Sequence, residues 1–328
     1  MGKLRYIFLL LIVLASCQKK GCDNLIDIAD SDMVVEFEDL THEIHNLKSE
    51  AELSSFLKAN PVIRDQFFYA ADFKTEEAML KGISEMLNNA YLDTLYWEIH
   101  EIFDVYALEA ELSNAFKRMN HFYPDFKAPK VKLAYSGFGK DVFLSDTLLV
   151  IGLDYYLGEQ ASFRPNEFEY VKARLTPDHL VPQIVQFMSN KFNETNLAER
   201  TILDEMVFYG KSLHFTKTML PCTPDSLIIG YTAKQLADSE VSEGFLWAYF
   251  VDNSLLFNKK PLNIAKFIDE RPGIPEIDRA CPGRIGQWLG WRIVNQYVQE
   301  SGEDFKTLMT RKDAGQLLTQ SRYKPRNR

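Results

Sequence analysis

Cys17 is the residue whose surroundings predict a defined chemical modification. Two cations precede the nearly apolar run 6–14, and Leu14-Ala15-Ser16 leads directly into the cysteine. A charged start, a short apolar core and small residues before a cleavage point are typical of a secretory signal. The string resembles a bacterial lipobox, which predicts cleavage before Cys17 and lipidation of its thiol and new amine. The apolar run is far shorter than the ~20 residues that span a bilayer, which argues against an uncleaved anchor.

The other cysteines, at positions 22, 222 and 281, allow one disulfide at most if Cys17 carries lipid. An oxidising compartment permits a bridge between Cys222 and Cys281. Cys22 falls in the expected tether, where a free thiol would be exposed. The sequence leaves the connectivity open, because pairing depends on the fold. No spacing here is typical of a zinc ribbon or a redox pair.

One string comes close to the spacing of a zinc site. His100-Glu101-Ile102-Phe103-Asp104 differs from His-Glu-x-x-His in its last residue, and on one helix His100 and Asp104 would share a face. A carboxylate can replace imidazole as a zinc ligand. The acids around this string favour a simpler interpretation, a solvated helix face. A metallopeptidase with an unusual set of His100, Asp104 and His179 is therefore an alternative and not the expectation.

The other histidines give weaker signals. His42 and His45 are spaced for one helix face, but no third ligand follows nearby, so we interpret them as an exposed pair. The sequence contains no Gly-x-Ser-x-Gly elbow, P-loop or dinucleotide fingerprint. We therefore expect no catalytic residues, no metal and no cofactor.

The composition of the chain excludes some classes of binding partner. The chain has 328 residues, 46% hydrophobic and 13% aromatic, which suffices for a large core. With 37 basic and 46 acidic side chains, its net charge is −9. An acidic surface argues against nucleic acid and anionic lipid as partners, since both attract basic patches. The cationic segment 321–328 is interpreted as a frayed, solvated tail.

Periodicity predicts an α+β chain that is predominantly helical, with one small central β-sheet. About three short strands are expected within 130–154, where alternating and β-branched residues flank a glycine turn. No long linker divides the chain, so we predict a signal peptide at 1–16, a lipidated tether at 17–30, a single globular domain at 31–320 and a basic tail at 321–328. The predicted helical stretches are 34–46, 50–59, 75–89, 92–119 (one or two helices), 177–192, 199–218, 232–256, 284–300 and 303–319.

One predicted helix combines glycines with tryptophans. Gly286 and Gly290 lie inside it, beside Trp288 and Trp291. A glycine within a helix costs ~1 kcal/mol relative to alanine. The pattern therefore predicts close backbone contact with a neighbouring element, next to buried tryptophan rings.

Several longer strings occur in a fixed order after the lipobox. They are Phe122-Tyr123-Pro124-Asp125-Phe126-Lys127-Ala128-Pro129, Asp146-Thr147-Leu148-Leu149, Gly152-Leu153-Asp154-Tyr155-Tyr156-Leu157-Gly158, Asp204-Glu205-Met206, Pro224-Asp225-Ser226-Leu227-Ile228-Ile229-Gly230-Tyr231-Thr232, the segment 282–296 and Ser321-Arg322-Tyr323-Lys324-Pro325. In this order they resemble the GldB-type gliding motility lipoproteins of Bacteroidetes. The resemblance covers most of 17–325 and is least clear at 23–90. It implies a lipoprotein component of the gliding motility machinery.

A small sheet followed by two helices also resembles gluzincin-type zinc peptidases. That resemblance implies His-Glu-x-x-His on the first helix and a glutamate before glycine on the second. Here the first helix begins His179-Leu180-Val181-Pro182-Gln183, and Tyr209 stands before the glycine of the second. A catalytic zinc needs three protein ligands and a water. The expectation is a degenerate gluzincin peptidase fold, a pseudoenzyme.

These expectations combine into a membrane-anchored, non-catalytic lipoprotein. Its expected partners are other gliding or secretion machinery proteins and, through lipid on Cys17, a membrane. Gln18 replaces the aspartate of the familiar inner-membrane retention rule, and no acidic run follows, which favours the periplasmic face of the outer membrane. The alternatives are the unusual metallopeptidase and a lipoprotein that binds a ligand in the former cleft.

Overall fold

Four short strands form a mixed sheet in the computed structural model, which describes residue 28 and residues 31–325. The strands β1 (Phe37–Asp39), β2 (Lys130–Ala134), β3 (Val142–Leu144) and β4 (Leu148–Gly152) lie in the order β1-β2-β4-β3. β1, β2 and β4 run parallel, whereas β3 pairs antiparallel with β4 at one edge. The three strands predicted within 130–154 are confirmed.

The first strand corrects a prediction. The segment 34–46 was expected to be helical, yet only its end is, and Phe37–Asp39 pairs with Val131–Leu133. The pairing begins where the Val131 N–H donates to the Glu36 carbonyl at 2.8 Å. Pairing with β2, which lies far along the chain, determines that this segment is a strand, because the local propensity of three residues for strand is weak.

Helices make up most of the rest of the described chain. Their bounds are α1 Thr41–His45, α2 Glu50–Ala59, α3 Glu76–Leu87, α4 Ala90–Ile102, α5 Val105–Phe122, α6 Glu169–Lys172, α7 Pro177–Met188, α8 Ile202–Met219, α9 Asp225–Ile229, α10 Ala233–Val241, α11 Glu243–Asp252, α12 Pro261–Ile268, α13 Ile285–Ser301, α14 Phe305–Thr310 and α15 Ala314–Ser321. The predominantly helical α+β class is therefore confirmed.

Local signals explain where the central helices begin. α8 starts with a capping box, in which Thr201 Oγ1 accepts the Asp204 N–H at 3.1 Å and Asp204 Oδ2 accepts the Thr201 N–H at 2.9 Å. α7 starts with a proline in its first turn, where a missing N–H costs nothing. The helices α6, α9 and α12 were not predicted, since four to eight residues carry too little periodicity.

α8 and α13 cross at a pair of glycines in the core. A Cβ atom on Gly290 would lie 1.7 Å from the Met206 carbonyl oxygen, and one on Gly210 would lie 2.4 Å from the Gly290 carbonyl carbon. Trp288 and Trp291 are buried beside the crossing. The backbone contact predicted from the glycine–tryptophan pattern is confirmed.

A buried lysine ties α8 to the C-terminal helices. Lys211 is fully buried, and its Nζ donates to Thr195 Oγ1 at 3.1 Å, to the Met309 carbonyl at 2.9 Å and to the Arg311 carbonyl at 2.8 Å. Burial lowers the pKa of this ammonium to about 7. All three of its donor positions are occupied, which is what a buried ammonium requires.

A buried aspartate joins the ends of the two central strands. Asp154 follows β4, and its Oδ2 accepts the Ser136 N–H at 3.1 Å and the Phe138 N–H at 2.7 Å from the loop after β2. Burial raises the pKa of this carboxyl group to about 6. Asp154 thereby fixes the Gly137 turn, where φ is +71°.

The start of the basic tail is packed, contrary to its interpretation as frayed and solvated. The Tyr323 hydroxyl donates to Glu243 Oε1 at 2.8 Å, and its ring meets Trp247 edge-on at 5.0 Å between centroids. Burial of the Tyr323 ring against α11 stabilises this segment by more than the ordering of a short charged segment costs in conformational entropy.

Candidate functional site

A cleft of about 620 Å³ opens between α7 and α8. α7 contributes Gln183, Gln186 and Phe187 to its wall, and α8 contributes Phe208 and Tyr209. The helical repeat places the three α7 side chains on one face of that helix. The cleft is lined mainly by amide, aromatic and charged side chains, and His179 is not among its lining residues.

Two arginines converge on one glutamate at the end of this cleft. Arg174 Nη2 lies 2.7 Å from Glu270 Oε2, and Arg284 Nε lies 3.3 Å from Glu270 Oε1. The Arg284 side chain is only 8% exposed, whereas Glu270 is 44% exposed. Burial and the neighbouring Arg284 charge lower the pKa of Arg174. The solvent-accessible Glu270 carboxylate is therefore paired with two largely buried guanidinium groups.

The arginine pair packs against Gly230, whose backbone conformation favours glycine. Gly230 has φ +70° at the end of α9, and a Cβ there would lie 2.6 Å from Arg174 Cδ. Its carbonyl accepts from Arg284 Nη2 at 3.0 Å, and the Arg284 guanidinium lies 5.7 Å from the Tyr231 ring centroid. The turn after α9 thus sets the position of Arg284.

The cleft continues past α7 to the edge of the sheet. A second depression, of about 460 Å³, shares Gln183 and Phe187 with the cleft and is lined on its other side by Val142, Phe143 and Leu144 of β3. Phe187 is 60% exposed between the two. An edge strand presents unpaired backbone groups to which an extended peptide can add. The combined surface, from β3 to Arg284, is called the α7 groove below.

The structure does not bring the proposed metal ligands together. α4 ends at Ile102, and Asp104 caps α5 by accepting the Ala107 N–H at 3.0 Å, so His100 and Asp104 do not share a helix face. His179 lies on α7, where its Nδ1 is 2.8 Å from Thr176 Oγ1. Burial and the Arg174 charge lower the pKa of His179 to about 4. Over the described residues, no group of three or more His, Cys, Asp or Glu side chains is arranged to hold a metal ion.

Three histidines surround Tyr96, which the sequence did not predict. His42 Nδ1 lies 3.1 Å from the Tyr96 hydroxyl, the His45 ring stacks on Tyr96 at 3.8 Å, and the His100 ring meets it edge-on at 4.5 Å. His42 is exposed as interpreted, whereas His45 is half-buried, and His100 lies beside them. Helices α1 and α4 bring His100 beside them, which sequence spacing does not reveal.

The disulfide that the sequence allowed between Cys222 and Cys281 does not form in the structure. Cys281 is a free, buried cysteine, and burial raises the pKa of its thiol to about 12. Cys222 is disulfide-bonded and exposed in the turn between α8 and α9. Cys17, the predicted lipidation site, and Cys22 lie outside the described residues.

The chain matches the family described as gliding motility protein GldB over residues 21–325. It belongs to the GldB family. Membership implies involvement in gliding motility, and the match includes every element of the α7 groove. No curated protein and no solved structure matches the chain. The predicted GldB resemblance is confirmed, and the peptidase resemblance stays a prediction.

The charged centre of the α7 groove was missed by sequence reasoning. Arg174, Glu270 and Arg284 come from three separate segments, and each looks like an ordinary charged residue in its own stretch. The one local signal is a glycine before an arginine at the start of α13, where Arg284 has φ +58°. Within the described part of the GldB chain, no helix is both long and apolar enough to span a bilayer.

Proposed function

We propose that this protein is a lipid-anchored, non-catalytic component of the gliding motility machinery, which binds an extended segment of a partner protein in the α7 groove. The observation that carries the proposal is the chemistry of that groove in a GldB family member. Its walls hold amides, aromatic rings of which Phe187 is exposed, and an edge strand, the groups that recognise polypeptide.

Membrane attachment is proposed to occur through Cys17. The lipobox supports it, and the family label marks its members as lipoproteins. One acyl chain gives only marginal binding, and further chains make attachment lasting. Because Gln18 follows the cysteine, we place the protein at the periplasmic face of the outer membrane. Partners are then other envelope proteins of the gliding apparatus or of a linked secretion apparatus.

The α7 groove is proposed to bind its partner in two ways. β3 offers backbone hydrogen bonds to an added strand, and Phe187 offers an exposed ring at the centre of the surface. A carboxylate of the partner can replace the exposed Glu270 carboxylate at Arg174 and Arg284, because the two arginines then remain paired with a negative charge. We therefore expect an acidic residue in the bound segment.

The proposal is tested by deleting the gene in its native host and complementing with four forms: wild type, Cys17→Ala, Phe187→Ala and Phe257→Ala. Phe257 is the matched control, since it is 69% exposed and lies outside the α7 groove. Truncating a central aromatic residue should weaken partner binding by about tenfold or more. Gliding should return with wild type and Phe257→Ala, fail with Cys17→Ala and decline with Phe187→Ala at equal protein levels.

Three results would contradict parts of this proposal. Normal gliding and secretion in the deletion strain would remove the machinery role. Stoichiometric zinc in the purified protein, lost in His100→Ala, would restore the metallopeptidase alternative. A small molecule carried in the cleft through purification would favour the ligand-binding alternative.

A further inference from the structure

Glu270 belongs to a segment between α12 and α13 whose backbone is held on both sides of it. Before it, Gln287 Nε2 donates to the Ile268 carbonyl at 2.8 Å. After it, the Arg271 carbonyl packs so closely on Gly283 that a Cβ atom there would lie 2.1 Å from the carbonyl oxygen. The Glu270 side chain can therefore leave the arginines by rotating about its own bonds, while the backbone stays in place.

The two arginines are held in position by contacts that do not involve Glu270. Arg284 Nη2 donates to the Gly230 carbonyl at 3.0 Å, and its guanidinium lies 5.7 Å from the Tyr231 ring centroid. The Arg174 side chain packs on the same glycine, since a Cβ atom on Gly230 would lie 2.6 Å from Arg174 Cδ. Both guanidinium groups therefore stay at the cleft when the glutamate side chain moves away.

This arginine pair requires an anion. Burial and the neighbouring Arg284 charge lower the pKa of Arg174, and largely buried cations need a charged partner. Glu270 places one carboxylate oxygen on each arginine. Its carboxylate is still partly hydrated, because the side chain is 44% exposed, and solvent screening keeps such ion pairs weak. A carboxylate that is also held by other contacts along the α7 groove can therefore displace it.

We propose that Glu270 is an internal competitor, which occupies a carboxylate subsite formed by Arg174 and Arg284 until the bound segment displaces it. The ligand of this subsite is a polypeptide carboxylate, from an acidic side chain or from a chain terminus, because each arginine receives one oxygen of the same carboxylate. Competition lowers the apparent affinity for the partner to the extent that the subsite is occupied. The inference rests on the proposed docking function and adds the regulation of the same groove.

The test measures the binding of three short peptides to full-length wild type, Glu270→Gln and Glu276→Gln at constant ionic strength. One peptide has a glutamate side chain and blocked ends, the second has a free terminal carboxylate, and the third is uncharged. Glu276 is the matched control, since it is also 44% exposed, pairs with Lys266 at 2.8 Å and does not line the α7 groove.

Isothermal titration should show that Glu270→Gln binds one or both carboxylate peptides roughly fivefold to tenfold more tightly than wild type does. The peptide that gains affinity identifies the source of the carboxylate. Glu276→Gln should bind like wild type, and the uncharged peptide should not distinguish the three proteins. Adding Arg174→Gln to Glu270→Gln should abolish the gain, because the subsite then loses one of its two cations.

A second variant covers the case in which Glu270→Gln does not fold. Glu270→Asp keeps the charge, but its side chain is one methylene shorter and cannot bridge both arginines as Glu270 does. It should bind the carboxylate peptides with an affinity between those of wild type and a protein without the competitor. Unchanged affinity in every folded Glu270 variant would overturn the inference.

Other results would also contradict it. A purely structural role for Glu270 predicts a lower melting temperature in Glu270→Gln with no gain in carboxylate binding. An equal gain in Glu276→Gln, or for the uncharged peptide, would show an effect that is not specific to the subsite. The inference fails alone if Phe187→Ala impairs gliding while Glu270→Gln gains no affinity. The docking function fails alone if the carboxylate peptides bind as expected and the deletion strain glides normally.

Discussion

At the scale of single residues, Asp154 shows how one carboxyl group organises the sheet. It accepts two backbone N–H groups across the loop after β2 through Oδ2. Its other oxygen, Oδ1, is buried and has no hydrogen-bond partner among the described residues. Burial disfavours the ionised form more than two N–H donors favour it, so the pKa rises to about 6.

This shift gives a pH dependence with a defined sign. Between about pH 4 and pH 6 folded Asp154 holds a proton that the unfolded chain has released, so the free energy of unfolding should fall as pH rises through this window, by roughly 3 kcal/mol. Asp154→Asn keeps an acceptor for the loop and removes the titration. Urea unfolding at several pH values should show a smaller fall in this variant than in wild type, and equal slopes would refute the assignment.

At the scale of elements, the α8–α13 crossing supports the cleft. The two helices approach so closely that Met206 and Gly290 are in backbone contact, and α8 then presents Phe208 and Tyr209 to the α7 groove. Glycines occupy the crossing because any side chain would overlap the other backbone. The cost in helix propensity is offset by the packing that the close approach allows.

Alanine at this crossing should destabilise the protein. In Gly290→Ala the added methyl overlaps the Met206 carbonyl, so the helices must separate, and we expect a loss of about 1–3 kcal/mol or more in the free energy of unfolding. Gly315→Ala in α15 is the matched control, since its Cβ would meet only the Asp313 carboxylate, at 3.2 Å. Chemical denaturation compares the two, and equal stability of both variants would mean that the crossing is not tightly packed.

At the scale of the whole molecule, segments far apart in the chain share one core behind the α7 groove. α8 forms one wall of the groove, contacts α13 at Gly290, and is joined through Lys211 to the carbonyls of Met309 and Arg311. The shape of the groove therefore depends on packing across much of the described chain.

Much of the secondary structure was predictable because its signals are local. The strands at 130–152 and the helices α2, α3, α7, α8 and α13 follow from periodicity and caps within each segment. β1 was missed because its partner, β2, lies more than ninety residues away in the chain. The histidines around Tyr96 and the arginine pair at Glu270 were missed for the same reason.

The sequence by itself determined the helical α+β class, the glycine–tryptophan contact and the family, because each depends on residue order along the chain. Only the tertiary structure decided that Cys281 is buried and free, that Arg174 and Arg284 share Glu270, and that His100 and Asp104 belong to different elements. Those properties depend on distances between residues far apart in sequence, which packing of the whole core sets and no local pattern encodes.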